Sequence, residues 1–121
     1  MDNRYILPII FVLFLAFKFY KLLSAKKKVP LLLKEGGIIV DVRTTSEFKS
    51  GANPLSVNIP HTELAARLHE LDKNKPVILC CASGARSSLA ARILKKNGFT
   101  NVFNAGAWRN TLLKSSARSN P

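Results

Sequence analysis

Apolar positions along this chain fall into two regimes. From residue 5 to residue 17 no charged side chain occurs, and with Lys18 and Lys21 admitted the apolar run continues to Leu23, close to the roughly 20 residues that span a bilayer core. Beyond Pro30 the apolar residues arrive in short groups. Residues 38–42 and 77–80 are near-continuous, the pattern of strands covered on both faces of a parallel sheet. Residues 56–59 and 101–104 predict shorter strands. Between them, Leu64, Leu68 and Leu71 share one face of a helix predicted over 62–71 with Thr62 as its cap. A second amphipathic helix is predicted over 87–97, closed by Lys95, Lys96 and Gly98. Thr45 or Ser46 is expected to cap a helical turn through Phe48 that stops near Gly51. Strands alternating with helices predict an α/β fold, a mainly parallel central sheet flanked by helices.

The N-terminal run predicts one transmembrane helix over residues 5–24. A secretory signal needs a basic start and small residues before a cleavage point, whereas Arg4 is offset by Asp2 and the run ends in Lys26, Lys27 and Lys28. A soluble core helix would show a polar face, and residues 5–17 have none. Lys18, Lys21 and the lysine triplet all follow the run, against Arg4 alone before it. The positive-inside rule then puts the remaining chain on the cytoplasmic side of the plasma (inner) membrane, single-pass. The expected organisation is an N-terminal flank 1–4, the membrane helix 5–24, a basic linker 25–30, a folded domain 31–113 and a disordered polar tail 114–121. No small-residue helix interface occurs in residues 5–23, so the oligomeric state stays open.

Charge and cysteine usage narrow the chemistry. The net charge of +12 divides into +5 for residues 1–30 (six basic, one acidic) and +7 for the rest (13 basic, six acidic). The basic residues of the second part are scattered and no aromatic platform interleaves with them, which argues against a nucleic-acid partner. The two cysteines are neighbours, Cys80 and Cys81, too close to staple the chain. His61 and His69 lack the ligand spacing a metal site requires, so no metal is expected.

The run Cys81, Ala82, Ser83, Gly84, Ala85, Arg86, Ser87 is the candidate site. A cysteine leaves an apolar strand and enters a loop of small residues that opens onto a helix. Backbone N–H groups and the positive end of a helix dipole converge at such a place, where they bind anions and lower a thiol pKa. Gly84 permits positive φ, and Arg86 adds a cation at the far end, for substrate contact or for bracing the loop. Arg43 has two readings, an anion-holding residue at the same sheet edge or a partner of Asp41, with Glu47, in fixing the strand-end loop. Trp108 suits core packing better than a pocket wall. Cys80, still inside the strand, suits a buried hydrophobe.

The chain resembles the rhodanese family of single-domain sulfurtransferases from about residue 31 to 110. The resemblance is carried by Ile39-Val40-Asp41-Val42-Arg43 with Glu47, Phe48 and Gly51; by Val57-Asn58-Ile59-Pro60; by residues 81–87; and by Gly98-Phe99-Thr100-Asn101-Val102 with Gly106-Ala107-Trp108. It implies that Cys81 takes a sulfane sulfur from a donor such as thiosulfate, becomes a persulfide, and passes the sulfur to a thiol or cyanide acceptor. Residues 82–86 and Arg43 are the corresponding substrate-binding candidates, and no cofactor is implied. Many family members carry a cation where this chain has Ala82, and residues 51–56 lack the usual histidine and glycine, so weak thiosulfate activity is expected. Two rivals are weighed beside this reading. Counted from Cys80, the spacing to Arg86 is that of cysteine-dependent phosphatases and arsenate reductases, although Gly84 then falls one residue late. The other rival is an inactive rhodanese-like binding module.

Overall fold

The computed structural model describes residues 3–112, so the expected tail at 114–121 lies outside the described residues. Helix α1 runs Ile6–Lys34, followed by strand β1 (Ile38–Asp41), helix α2 (Thr45–Lys49), strand β2 (Ser56–Asn58), strand β3 (Val77–Cys81), helix α3 (Ala85–Lys96) and strand β4 (Val102–Ala107). Single 3-10 turns occupy Leu64–Ala66, Leu68–Glu70 and Trp108–Thr111. The four strands form one parallel sheet in the order β2-β1-β3-β4. This is the α/β architecture that the alternating pattern predicts.

Side chains alternate across a strand with period two, and the sheet divides the core accordingly. On one face Val40, Val42, Val77, Leu79 and Cys81 pack with Ala90 and Leu94 of α3 and with Ile59, Leu64 and Phe99. On the other, Ile39, Ile78, Cys80 and Ala105 pack beneath Ala25 and Val29 of α1. The central strand β3 is buried at all five positions, as its unbroken apolar run requires.

Three expectations change. Residues 25–30, expected as a linker, belong to the C-terminal half of α1: Ala25 and Val29 are four apart, fall on one helical face and are fully buried, while Lys26, Lys27 and Lys28 point outward. The Lys28 ammonium lies 5.6 Å from the centre of the Phe103 ring. Pro30 is accommodated inside the helix, where it removes one backbone donor. Second, residues 62–71 form two separate 3-10 turns, with Arg67 at φ −118°, ψ 18° between them. An isolated helix shorter than about 12 residues is marginal in water, so docking of Leu64 and Leu71 into the core decides the backbone. The longer rise of a 3-10 turn lets both leucines reach it. Third, Thr44 rather than Thr45 or Ser46 caps α2. Its hydroxyl accepts from the Glu47 N–H at 3.2 Å while Glu47 accepts from the Thr44 N–H at 3.0 Å, a reciprocal capping box.

The first half of α1 lies apart from the domain. Its 18-residue apolar window, mean hydropathy 2.2, is entirely unburied. Exposure on that scale is incompatible with a soluble core helix, and the length and composition are those of a segment able to cross a membrane. Since α1 ends where β1 begins, it runs antiparallel to the strands it covers, and residues 17–22 rise past the carboxyl edge of the sheet.

Candidate active site

In a parallel α/β sheet the carboxyl ends of the strands collect the loops that bind ligands, and β3 delivers Cys81 to that edge. The residue has no solvent-exposed surface. Its sulfur sits inside the loop that follows: the Gly84 N–H donates to Cys81 Sγ at 2.8 Å, and Ser87 Oγ lies 3.4 Å away. Gly84 adopts φ +105° as the N-cap of α3, and a Cβ there would approach Gly106 Cα to 3.4 Å. Only glycine adopts this conformation without strain, which is why the loop can fold back over the Cys81 sulfur.

Burial pushes the Cys81 thiol up. Hydrogen bonds from the Ser87 hydroxyl and from the backbone N–H groups of Ser87, Gly84 and Ser83 oppose it and prevail, leaving the pKa below the ordinary thiol value. Ser87 also lies 3.0 Å from the Gly84 carbonyl and 2.7 Å from Asn104 Oδ1. One hydroxyl carries one proton, so this proton can turn to the sulfur when the sulfur is ionised. Asn104 in turn accepts from the Gly106 N–H at 2.9 Å, next to a register shift in β4 opposite Leu79 and Cys80. The irregularity re-aims the strand end toward the loop.

The two arginines stand as braces. Arg43, almost fully buried, pairs bidentately with Asp41 (Nη2 to Oδ2 2.7 Å, Nε to Oδ1 3.0 Å), donates to the Gly51 carbonyl at 2.8 Å, and stacks 4.9 Å from the Trp108 ring centre. The Asp41 hydrogen bonds outweigh desolvation and raise its pKa. Arg86 reaches Glu47 through both carboxylate oxygens, at 2.6 and 2.9 Å. The Arg86 hydrogen bonds, with those from Thr44, hold the Glu47 carboxyl down at about 2. The structure therefore gathers Cys81, Ala82, Ser83, Gly84 and Ala85 at one loop, with Ala82, Ser83 and Ala85 exposed, and engages Arg43 and Arg86 in internal pairs. Trp108 packs against the α1-side core.

Cys80 points the other way. It is fully buried on the α1 face among Ile78, Ala105 and Ala25, and burial, with the Asp41 charge beside it, pushes its thiol well above the ordinary range. That disfavours the phosphatase and arsenate reductase readings, which need Cys80 ionised in the loop. Among the described residues no group of three metal-ligating side chains lies together.

Asn104 escapes attention in the sequence because its role arises from a contact with Ser87 across 17 residues. A serine after Arg86 is visible; its asparagine partner is not.

The thiosulfate sulfurtransferase GlpE of Pseudomonas syringae pv. syringae (strain B728a) is 33% identical over 84 residues, 66% of this chain and 79% of its own. YrkF and YqhL of Bacillus subtilis (strain 168) are 42% and 41% identical over 66 residues; the chain spans 36% and 52% of their lengths. Among solved structures, a rhodanese with anions from E. coli superposes with TM-score 0.60 at 30% identity, covering 64% of this chain and 93% of that one. A human single-domain sulfurtransferase gives TM-score 0.58 at 28% identity over 69% and 88%. The Rhodanese-like domain model matches residues 20–109, and the chain belongs to the rhodanese family.

Proposed function

We propose that this protein is a sulfurtransferase that carries sulfane sulfur on Cys81. The Cys81 thiolate attacks the outer sulfur of a donor such as thiosulfate; the sulfur–sulfur bond of the donor breaks and sulfite leaves with the electron pair. The product is a Cys81 persulfide anion. An acceptor thiolate or cyanide then attacks the terminal sulfur, and the Cys81 thiolate departs. Both forms of the enzyme place negative charge on sulfur inside the loop, and inward-pointing amides stabilise it as an oxyanion hole stabilises oxygen. The observation that carries the reading is the Gly84 N–H seated 2.8 Å from Sγ, with the Ser87 hydroxyl beside it. Because Cys81 is covered, reaction requires a small outward movement of the side chain or loop.

The same reading makes residues 5–24 a single-pass anchor in the plasma (inner) membrane, with the catalytic domain on the cytoplasmic side. The support is the unburied apolar half of α1 and the lysines that follow it. Sulfur donor and thiol acceptor are the expected small-molecule partners.

Incubating the full chain in detergent with thiosulfate and weighing it intact tests the assignment. The expected result is a gain of one sulfur atom that is lost in Cys81→Ser and retained in Cys80→Ser. Phosphatase chemistry would instead give aryl phosphate hydrolysis dependent on Cys80, and an inert binding module would give neither.

A further inference from the structure

Resting on the sulfurtransferase reading, we propose that Lys18 and Lys21 of α1 supply the positive charge that holds an anionic sulfur donor at the Cys81 loop. A cleft of about 480 Å³ separates α1 from the loop, lined by Phe17, Lys18, Lys21 and Leu22 on one side and by Ser83, Gly84 and Ala85 among others on the opposite side. Gly84 lines this cleft and donates its N–H to Cys81 Sγ, so the cleft adjoins the loop that encloses the sulfur, and an anion there meets Cys81 on the outward movement that its burial requires.

The placement of the lysines follows from helical spacing. Ala25 and Val29 dock α1 on the sheet, and Lys21 precedes Ala25 by four residues, on the same face of the helix. Lys18 lies one turn earlier. Because α1 runs antiparallel to the strands, the turns that precede the docked part reach the carboxyl edge of the sheet, where the loop is.

The loop's own cations are engaged elsewhere. Arg86 is tied to Glu47 and Arg43 to Asp41, and Ala82 carries no charge. The cleft has no acidic lining, and its charged lining residues are the two lysines. Their ammonium groups lie over Phe14 and Phe17, at 5.5 and 5.7 Å from the ring centres, which positions them without neutralising them. Two positive charges beside the loop suit a compact dianion, thiosulfate above all, better than a neutral polysulfide. Lys18 and Lys21 stand in the last two turns of residues 5–24, at the level of the headgroups, so the donor site opens at the membrane surface.

The test measures the rate at which the Cys81 thiol is consumed in the full chain, in discs of neutral phosphatidylcholine, read by intact mass as the persulfide with thiosulfate and as the mixed disulfide, an organic persulfide leaving, with a neutral organic trisulfide. In the double variant Lys18→Gln, Lys21→Gln the ratio of thiosulfate to trisulfide rate should fall by about tenfold, and its dependence on salt should flatten. The variant Lys18→Arg, Lys21→Arg keeps the charge and should keep the ratio. An unchanged ratio in the glutamine variant overturns the inference while leaving the sulfurtransferase standing. A native chain that reacts with neither donor overturns both.

Discussion

Cys80 and Cys81 are consecutive in β3 yet their sulfurs lie in separate cores, Cys80 under α1 and Cys81 under α3. The pleat of the strand makes this unavoidable, and it divides two identical side chains into an inert thiol and an ionisable one. Iodoacetamide near neutral pH should therefore modify Cys81 first. Peptide mapping after brief exposure should find the label at Cys81 and leave Cys80 unmodified until the chain is denatured; equal labelling would refute the assignment.

The hydroxyl of Ser87 is the strongest stabiliser of the Cys81 thiolate. Ser87→Ala removes it while burial remains, so the thiol pKa should rise. Thiolate fraction falls at any pH below the new value, and the acid limb of the alkylation rate profile should move to higher pH. Ser87→Thr, which keeps the hydroxyl, should fall between the two. An acid limb that stays in place would remove Ser87 from the account.

At Gly84 the backbone carries φ +105° against Gly106. Gly84→Ala forces a side chain into a region that costs an L-residue about 1–2 kcal/mol and turns the N–H that reaches Cys81. Persulfide formation should drop by at least about tenfold, more than the loss in melting temperature implies, since about 1.4 kcal/mol of thiolate stabilisation is a factor of ten.

Much of this is legible in the amino-acid sequence. The strands announce themselves as apolar runs, and the loop as small residues between strand and helix. Other features were hidden for physical reasons. Leu64, Leu68 and Leu71 satisfy a helical period that two 3-10 turns also satisfy, and a segment so short takes its backbone from the core it docks on. Lys26 to Lys28 look like a solvated tether until Ala25 and Val29 are seen buried on the reverse face of the same turns. Arg86 lies within the candidate loop and Arg43 just past β1, but charge alone does not reveal that Glu47 and Asp41 already hold them.

Arg43 illustrates how a buried ion pair reports itself. Removing one partner strands the other charge in the interior at a cost of about 3–5 kcal/mol, and Arg43 also bridges to Gly51 and Trp108. Arg43→Leu should lower stability by that order in urea unfolding of the full chain. The pair Arg43→Leu, Asp41→Leu should recover a large part of it. A single variant as stable as the parent, with only donor affinity impaired, would reassign Arg43 to substrate binding.

The unbroken course of α1 sets the attitude of the whole molecule. A coil between anchor and domain would let the domain tumble; a continuous rod whose far half is keyed into the sheet by Ala25 and Val29 does not. Whatever grips residues 6–20 thus dictates which way the sheet's reactive rim looks, and the antiparallel run of the helix turns that rim back toward the gripping surface. With the segment in a bilayer, sulfur would be handed over at the headgroup plane, within reach of membrane-embedded acceptors rather than out in the bulk.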